Sequence, residues 1–226
     1  MPDRGVIRQF AGIRSDTRIR MADASWCLVQ DLSPGDRLLA VDGTENELIE
    51  PPAVQQGSWM LYGVSLLLRE ERDSVFLQPF FSPWQLLYTD SGYASLKRER
   101  GSLLNLPEKL LPLTRGLRLT LFQEAGTCSH VGSLRRMNLR TQQGVLADIT
   151  GNLWQGRLYN LCLYGGSPSY WAEDLGLGMT CPVITADSVK EVSNKQLEPL
   201  LPVIEAGLGA YTIQHMKFRM DDKKEG

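Results

Sequence analysis

The sequence predicts an all-β chain, and three observations carry the prediction. Apolar runs are short, turn residues recur between them at near-regular spacing, and helical periodicity is scarce before residue 187. Gly (21) and Pro (12) are spread evenly along the chain. With 226 residues and 42% hydrophobic content, there is enough apolar material for one large all-β domain or two small ones. From the residues alone the expectation is a barrel or sandwich with long loops.

The elements follow in order. "SDTRIRMAD" alternates and then turns at Asp23-Ala24. In "CLVQDLSPGDRLLAVDG" (27–43) two apolar runs meet at Ser33-Pro34-Gly35-Asp36. Pro34 presets φ, and Gly35 can take the positive φ of a type II turn, so Cys27–Val29 and Leu38–Val41 read as short strands. "GSWMLYGVSLLLREE" and "SVFLQPFFS" read as strands ending in polar turns, and "WQLLYTDSGYASL" as two strands about a Ser-Gly turn. "LRLTLFQE", "GVLADITGN" and "GRLYNLCLYG" continue the pattern, and "GTCSHVG", flanked by glycines, reads as a loop. Two segments read as helical: "LPEKLLPLT" (106–114), interrupted at Pro112, and the C-terminal part from Asp187. The expected division is a β domain over 1–186 and a helical or linker extension over 187–226.

Composition excludes several function classes. A net charge of −2 and a pI near 5.8 give no footprint for nucleic acid. The one basic cluster, Lys97-Arg98-Glu99-Arg100, is interrupted by an acid and reads as a solvated loop. Cys27, Cys128, Cys162 and Cys181 form no C-x-x-C pair and no Cys/His cluster, so no metal or cofactor is expected. "MPDRGVIRQF" lacks an apolar signal-peptide core, and no run approaches the roughly 18 apolar residues of a membrane span. The expectation is a soluble cytoplasmic protein that binds neither nucleic acid nor membrane.

Three blocks, taken together, carry a resemblance: residues 12–43, 75–93 and 156–183. Asp31-Leu32-Ser33-Pro34-Gly35-Asp36 is similar to a "dLxxGDxVla" motif, "FFSPWQLLY" to a "vTpdH" or "vSPdH" strand, and "GRLYNLCLYG…SYWAEDLGLGMTCPV" to a "vYnLxVeg…nYfangilvHN" ending. In order and spacing they resemble the Hint superfamily, which comprises the autoprocessing domains of hedgehog proteins, inteins and bacterial intein-like domains. The resemblance implies a pseudo-twofold, all-β horseshoe of long strands.

It also implies where chemistry would sit. The family's reaction begins with a Cys or Ser that attacks the preceding carbonyl, assisted by a proton donor and an oxyanion site. By the resemblance the nucleophile position falls at Gly12, or at Ala11 if the loop is one residue longer. The acid position falls at Gln85, which can donate a hydrogen bond but cannot transfer a proton near neutral pH. The His-Asn ending falls at Met179-Thr180, and Thr180 cannot form a succinimide. Cys181 stands where a downstream nucleophile would stand. No catalytic residue is therefore expected.

Fallback candidates remain. Ser15 lies inside the first loop and reads as a turn former. Thr127, Cys128 and His130 match a T-x-x-H spacing, but too late in the chain for that block, and His215 reads as an exposed helical residue. Among the aromatics, Trp59, Trp84, Trp154, Tyr170 and Trp171 read as core, with "SPSYWAED" the best candidate for an exposed aromatic patch. The favoured reading is a degenerate Hint domain that has lost self-cleavage and serves as a structural or protein-interaction module, its partner another protein or its parent polypeptide. An active autoprocessing domain with a noncanonical nucleophile, and an unrelated all-β binding module, are the alternatives.

Overall fold

The computed structural model describes residues 11–68, 74–97, 110–131, 134–165 and 167–179. Within them the chain is built of strands, with one 3₁₀ turn at Val29–Asp31. The expected C-terminal helical extension, and the polar turn after "GSWMLYGVSLLLREE", lie outside the described residues.

The first strands are short: β1 (Ile13–Arg14), β2 (Arg18–Arg20), β3 (Trp26–Leu28), β4 (Arg37–Leu39) and β5 (Glu45–Leu48). The Pro34-Gly35 turn forms as expected, with Gly35 at φ +92 and the Asp36 N–H donating to the Ser33 carbonyl at 3.1 Å. The Asp36 carboxylate closes the turn from the other side, accepting the Ser33 N–H at 2.8 Å. Two details differ from the sequence reading. Val29 opens the 3₁₀ turn instead of extending the strand, and the flanking strands do not pair with each other. β3 pairs with β2, whereas β4 pairs with β5 in a separate sheet. The turn thus carries the chain from one sheet to another.

Next come β6 (Ala53–Leu67), β7 (Ser74–Phe81), β8 (Leu86–Thr89), β9 (Gly92–Ser95) and β10 (Leu110–Pro112). The helical reading of 106–114 is overturned at Leu110–Pro112, which pairs in parallel with Tyr93–Ser95. Pro112 ends this short strand, a position where a missing N–H is tolerated and where a helix would break.

β11 (Arg118–Val131) and β12 (Leu134–Asn160) form a long hairpin, followed by β13 (Leu163–Gly165), β14 (Ser169–Ala172) and β15 (Leu175–Gly178). The 27-residue β12 absorbs "GVLADITGN" and the first half of "GRLYNLCLYG" into one strand. It pairs antiparallel with β11 through Leu134–Val145 and with β6 through Leu146–Asn160. "GTCSHVG" is not a loop up to Val131: Cys128 opposes Met137 and His130 opposes Arg135. The glycine punctuation instead marks a register shift between Ala125 and Cys128.

Glycines inside the β6–β12 ribbon are covered by aromatic rings. Trp59 opposes Trp154, and Gly57 opposes Gly156 on the same face. Each indole folds over the glycine two residues away, at 3.3 Å from Trp59 and 2.7 Å from Trp154 to the place a Cβ would occupy. A glycine's missing packing is thereby supplied from its own strand.

Twelve strands form one sheet in the order β1-β7-β6-β12-β11-β8-β15-β14-β2-β3, with β9 and β10 on a branch, and β13-β5-β4 form the second. Ile13 pairs with both Phe81 and Tyr159, which closes β1, β7, β6 and β12 into a ring. The main core gathers Ile13, Ile19, Leu38, Phe81, Tyr170 and Leu177, all essentially inaccessible. Tyr170 and Trp171 are 1% and 0% exposed, which overturns the reading of "SPSYWAED" as a surface patch. All four residues of β14 face packed neighbours, so alternation gives no outward aromatic face there.

Candidate functional site

The first and second blocks meet at Gly12 and Ser82. The Gly12 N–H donates to Ser82 Oγ at 3.0 Å, and the Ser82 N–H donates to the Gly12 carbonyl at 2.8 Å. β1 brings Gly12 there by pairing at Phe81, the residue before Ser82. Ser82-Pro83-Trp84-Gln85 then turns, the Gln85 N–H reaching the Ser82 carbonyl at 3.1 Å with Pro83 at the favoured second position.

The second and third blocks meet at Gln85 and Gly178. Leu86 and Leu87 pair with Gly178 and Leu177. Gln85 is 1% exposed, and its Nε2 donates to the Gly178 carbonyl at 2.8 Å and to the Leu86 carbonyl at 3.2 Å. Its Oε1 is buried and accepts no hydrogen bond. The Met179 N–H donates to the Pro168 carbonyl at 2.8 Å, where Tyr93 Oη also donates at 3.2 Å. Burial pushes the Tyr93 phenol well above its ordinary value, so it stays a neutral donor. Met179, in the His position by resemblance, accepts the Leu163 N–H on its sulfur at 3.1 Å.

Gly12 and Gln85 are therefore linked through Ser82, and Gln85 reaches Gly178, two residues before Thr180. Thr180, Cys181 and His215 lie outside the described residues. Ser82 was missed as a site residue, although it opens the "SPWQ" stretch and is the residue that binds Gly12. Gln85 acts as a clamp: its amide donors are spent on two carbonyls, and a carboxamide has no proton to transfer near neutral pH.

The fallback candidates lie elsewhere. Ser15 sits in the Arg14–Thr17 turn, with its N–H on the Arg157 carbonyl at 3.2 Å. The side-chain bond in that turn comes from Thr17 instead, whose hydroxyl donates to the Arg14 carbonyl at 2.7 Å. Cys128 is exposed near the tip of the β11–β12 hairpin, accepting from Arg135 Nε at 3.0 Å. Gly12 lies beside the other end of β12, so the hairpin separates the two. Among the described residues, no three His, Cys, Asp or Glu side chains gather as a metal site, and no helix is long and apolar enough to cross a membrane.

The sequence matches no family model and no curated protein. The structure is similar to the crystal structure of the Ssp DnaB mini-intein variant M86, at 14% identity and a TM-score of 0.50, over 80% of this chain and 100% of that one. It is also similar to the gp41-1 intein, at 14% identity and a TM-score of 0.45, over 75% of this chain and 99% of that one. A bacterial intein-like domain from Clostridium thermocellum is similar at 17% identity and a TM-score of 0.44, over 76% of this chain and 99% of that one. At such identities likeness speaks to fold alone. Together with the single large, predominantly antiparallel sheet, the match over the whole mini-intein shows that this chain has a Hint-type, intein-like fold.

Proposed function

We propose that this chain is a degenerate Hint-type domain that has lost self-cleavage and acts as a structural or protein-interaction module. One observation carries the reading. The Gly12 N–H donates to Ser82 Oγ at the position the resemblance assigns to the nucleophile, yet Gly12 has no side chain and Gln85 is spent on two carbonyls. Amide-to-ester or amide-to-thioester exchange needs a nucleophile next to the carbonyl and a group that gives the departing nitrogen a proton. Neither Ala11 nor Gly12 can attack, and Gln85 cannot protonate. The partner in this reading is another protein or the parent polypeptide.

The test uses the full chain with a folded protein fused before Met1, incubated with excess thiol and followed by intact mass. The expected result is no release. Release at the Ala11–Gly12 bond would overturn the reading and favour an active domain with a noncanonical nucleophile. Ser15→Ala and Cys128→Ser would then identify that nucleophile. The converse variant, Gly12→Cys with Gln85→His, is expected to cleave slowly.

A further inference from the structure

The two outer edges of the β11–β12 hairpin differ. On the β11 side the register slips twice, between Phe122 and Glu124 and between Ala125 and Cys128, with the extra residue in β11 each time. Such bulges twist an edge away from further pairing. The far edge of β12 has no such guard. It pairs with β6 only from Leu146 onward, and it meets Thr44 at Arg136, where the Met137 N–H donates to the Gly43 carbonyl at 2.8 Å. Between those contacts, residues 138–145 pair with nothing on that side among the described residues. Because Met137 donates outward, alternation turns the N–H and C=O of Leu139, Thr141 and Gln143 the same way. Thr141 and Gln143 are exposed, and a cleft of about 440 Å³ lies against this stretch, lined by Val41, Asp42, Met137, Leu139 and Thr141 among others. The stretch "NLRTQQGV" holds no proline and no lysine, so its bare backbone is a template for another strand.

We propose, on the reading of this chain as an interaction module, that the Leu139–Gln143 edge takes up an extended segment of a partner protein, with alternating apolar and acidic residues, as an added antiparallel strand. Three facts select that occupant. The Thr44–Arg136 bridge is already antiparallel, and an added strand continues it along β12. Met137 and Leu139 pack with Val41 in an apolar cluster, so residues opposite Leu139 and Thr141 face an apolar floor. On the other face Arg136 and Arg140 are exposed and pair with no carboxylate among the described residues, although Glu124 stands across from Arg140 in β11. Asp42 is spent on its own turn, accepting the Thr44 N–H and hydroxyl at 3.0 and 2.6 Å. Acidic residues on the incoming strand supply the missing charge. A second copy centred on this stretch would instead bring Arg140 against Arg140, like against like.

The probe is the acetylated, amidated peptide Thr-Val-Glu-Val-Glu-Val-Thr, titrated into the full chain and followed by amide NMR and hydrogen exchange. The expected result is shifted, more slowly exchanging amides at Leu139, Thr141 and Gln143. The same peptide N-methylated at its valines is expected not to bind, and a version with lysine for glutamate to bind about tenfold more weakly. Thr141→Pro removes an N–H that the fold does not use, so it is expected to keep the melting temperature and lose binding. Arg140→Glu is expected to reverse the preference toward the lysine peptide, and it carries the test if the proline variant fails to fold. Four results would each overturn the proposal: no binding, shifts confined to other residues, binding that survives N-methylation or a folded Thr141→Pro, or edge amides already protected in the free chain. The last would mean that the chain itself or a second copy covers the edge. Absent binding with no release in the thiol test would overturn the added strand alone and leave the loss of self-cleavage standing.

Discussion

Ser82 and Gly12, 70 positions apart in sequence, exchange two hydrogen bonds, the Gly12 N–H donating to Ser82 Oγ at 3.0 Å and the Ser82 N–H to the Gly12 carbonyl at 2.8 Å. The hydroxyl is the part a substitution can remove. Ser82→Ala leaves the buried Gly12 N–H without an acceptor, which costs about 1–3 kcal/mol. Urea unfolding is the measurement, and Ser82→Thr, which keeps the hydroxyl, is expected to recover part of the loss. An unchanged midpoint for the alanine variant would show that water satisfies the amide.

Arg20 and Arg115 separate a stacked cation from an exposed one. The Arg20 guanidinium carbon lies 3.4 Å from the Trp26 ring centre and 4.1 Å from that of Phe122, and Nη1 donates to the Ala24 carbonyl at 2.9 Å. Arg20→Lys keeps the charge but loses the plane, at an expected cost of about 1–2 kcal/mol. Arg115 pairs with Asp148 at 2.6 Å, but both side chains are more than half exposed. Arg115→Ala is expected to change stability by no more than about 1 kcal/mol. Equal losses in thermal unfolding would refute the distinction.

Asp174 gives a pH dependence of known sign. Burial raises its carboxyl above the ordinary 3.8, only partly offset by Arg20 at 3.7 Å. The folded chain therefore holds this proton more tightly than the unfolded chain does. The group's contribution is most favourable below 3.8 and is lost as pH rises from there through the folded value. Asp174→Asn removes the dependence, so variant minus wild-type stability should climb with pH across that window. A flat difference would refute it.

Two glycines test close approach against backbone strain. Gly35, at φ +92, has open space where a Cβ would go, so Gly35→Ala should cost about 1–2 kcal/mol from the left-handed conformation alone. At Gly43, φ +86, a Cβ would collide with the Met137 carbonyl, and Gly43 O also accepts the Met137 N–H at 2.8 Å. Gly43→Ala should cost more, read as a larger drop in the denaturation midpoint. Equal drops would mean that the hairpin does not sit on this turn in solution.

Sequence patterning made the strand content and the Pro34-Gly35 turn legible, because period-two alternation and turn residues act locally. The core tryptophans were legible in part: Trp171 and Trp84 are buried, as their bulk and polarity suggest. Local signals failed where a distant strand decided the outcome. Leu110–Leu111 could turn as a helix but adds to β9, and "GVLADITGN" and the start of "GRLYNLCLYG", read as separate segments, run on as one strand in which Tyr62 covers Gly151 and Trp154 covers Gly156. At the candidate site, Gly12 and Gln85 were singled out by resemblance, whereas Ser82, which links them, was not, because its contact with Gly12 exists only once β1 lies beside β7.

The ring closed by Ile13 also sets a clock on synthesis. Roughly 150 residues separate Ile13 from Tyr159, and a ribosome adding about 5–20 residues per second takes on the order of 10 s to span them. Through that interval β6 and β7 can zip as a local hairpin, but β6 still lacks its long partner β12. The nascent chain thus presents an unmatched strand edge that holds Val54, Trp59 and Met60, and slowing translation between the two halves should raise its demand for chaperones.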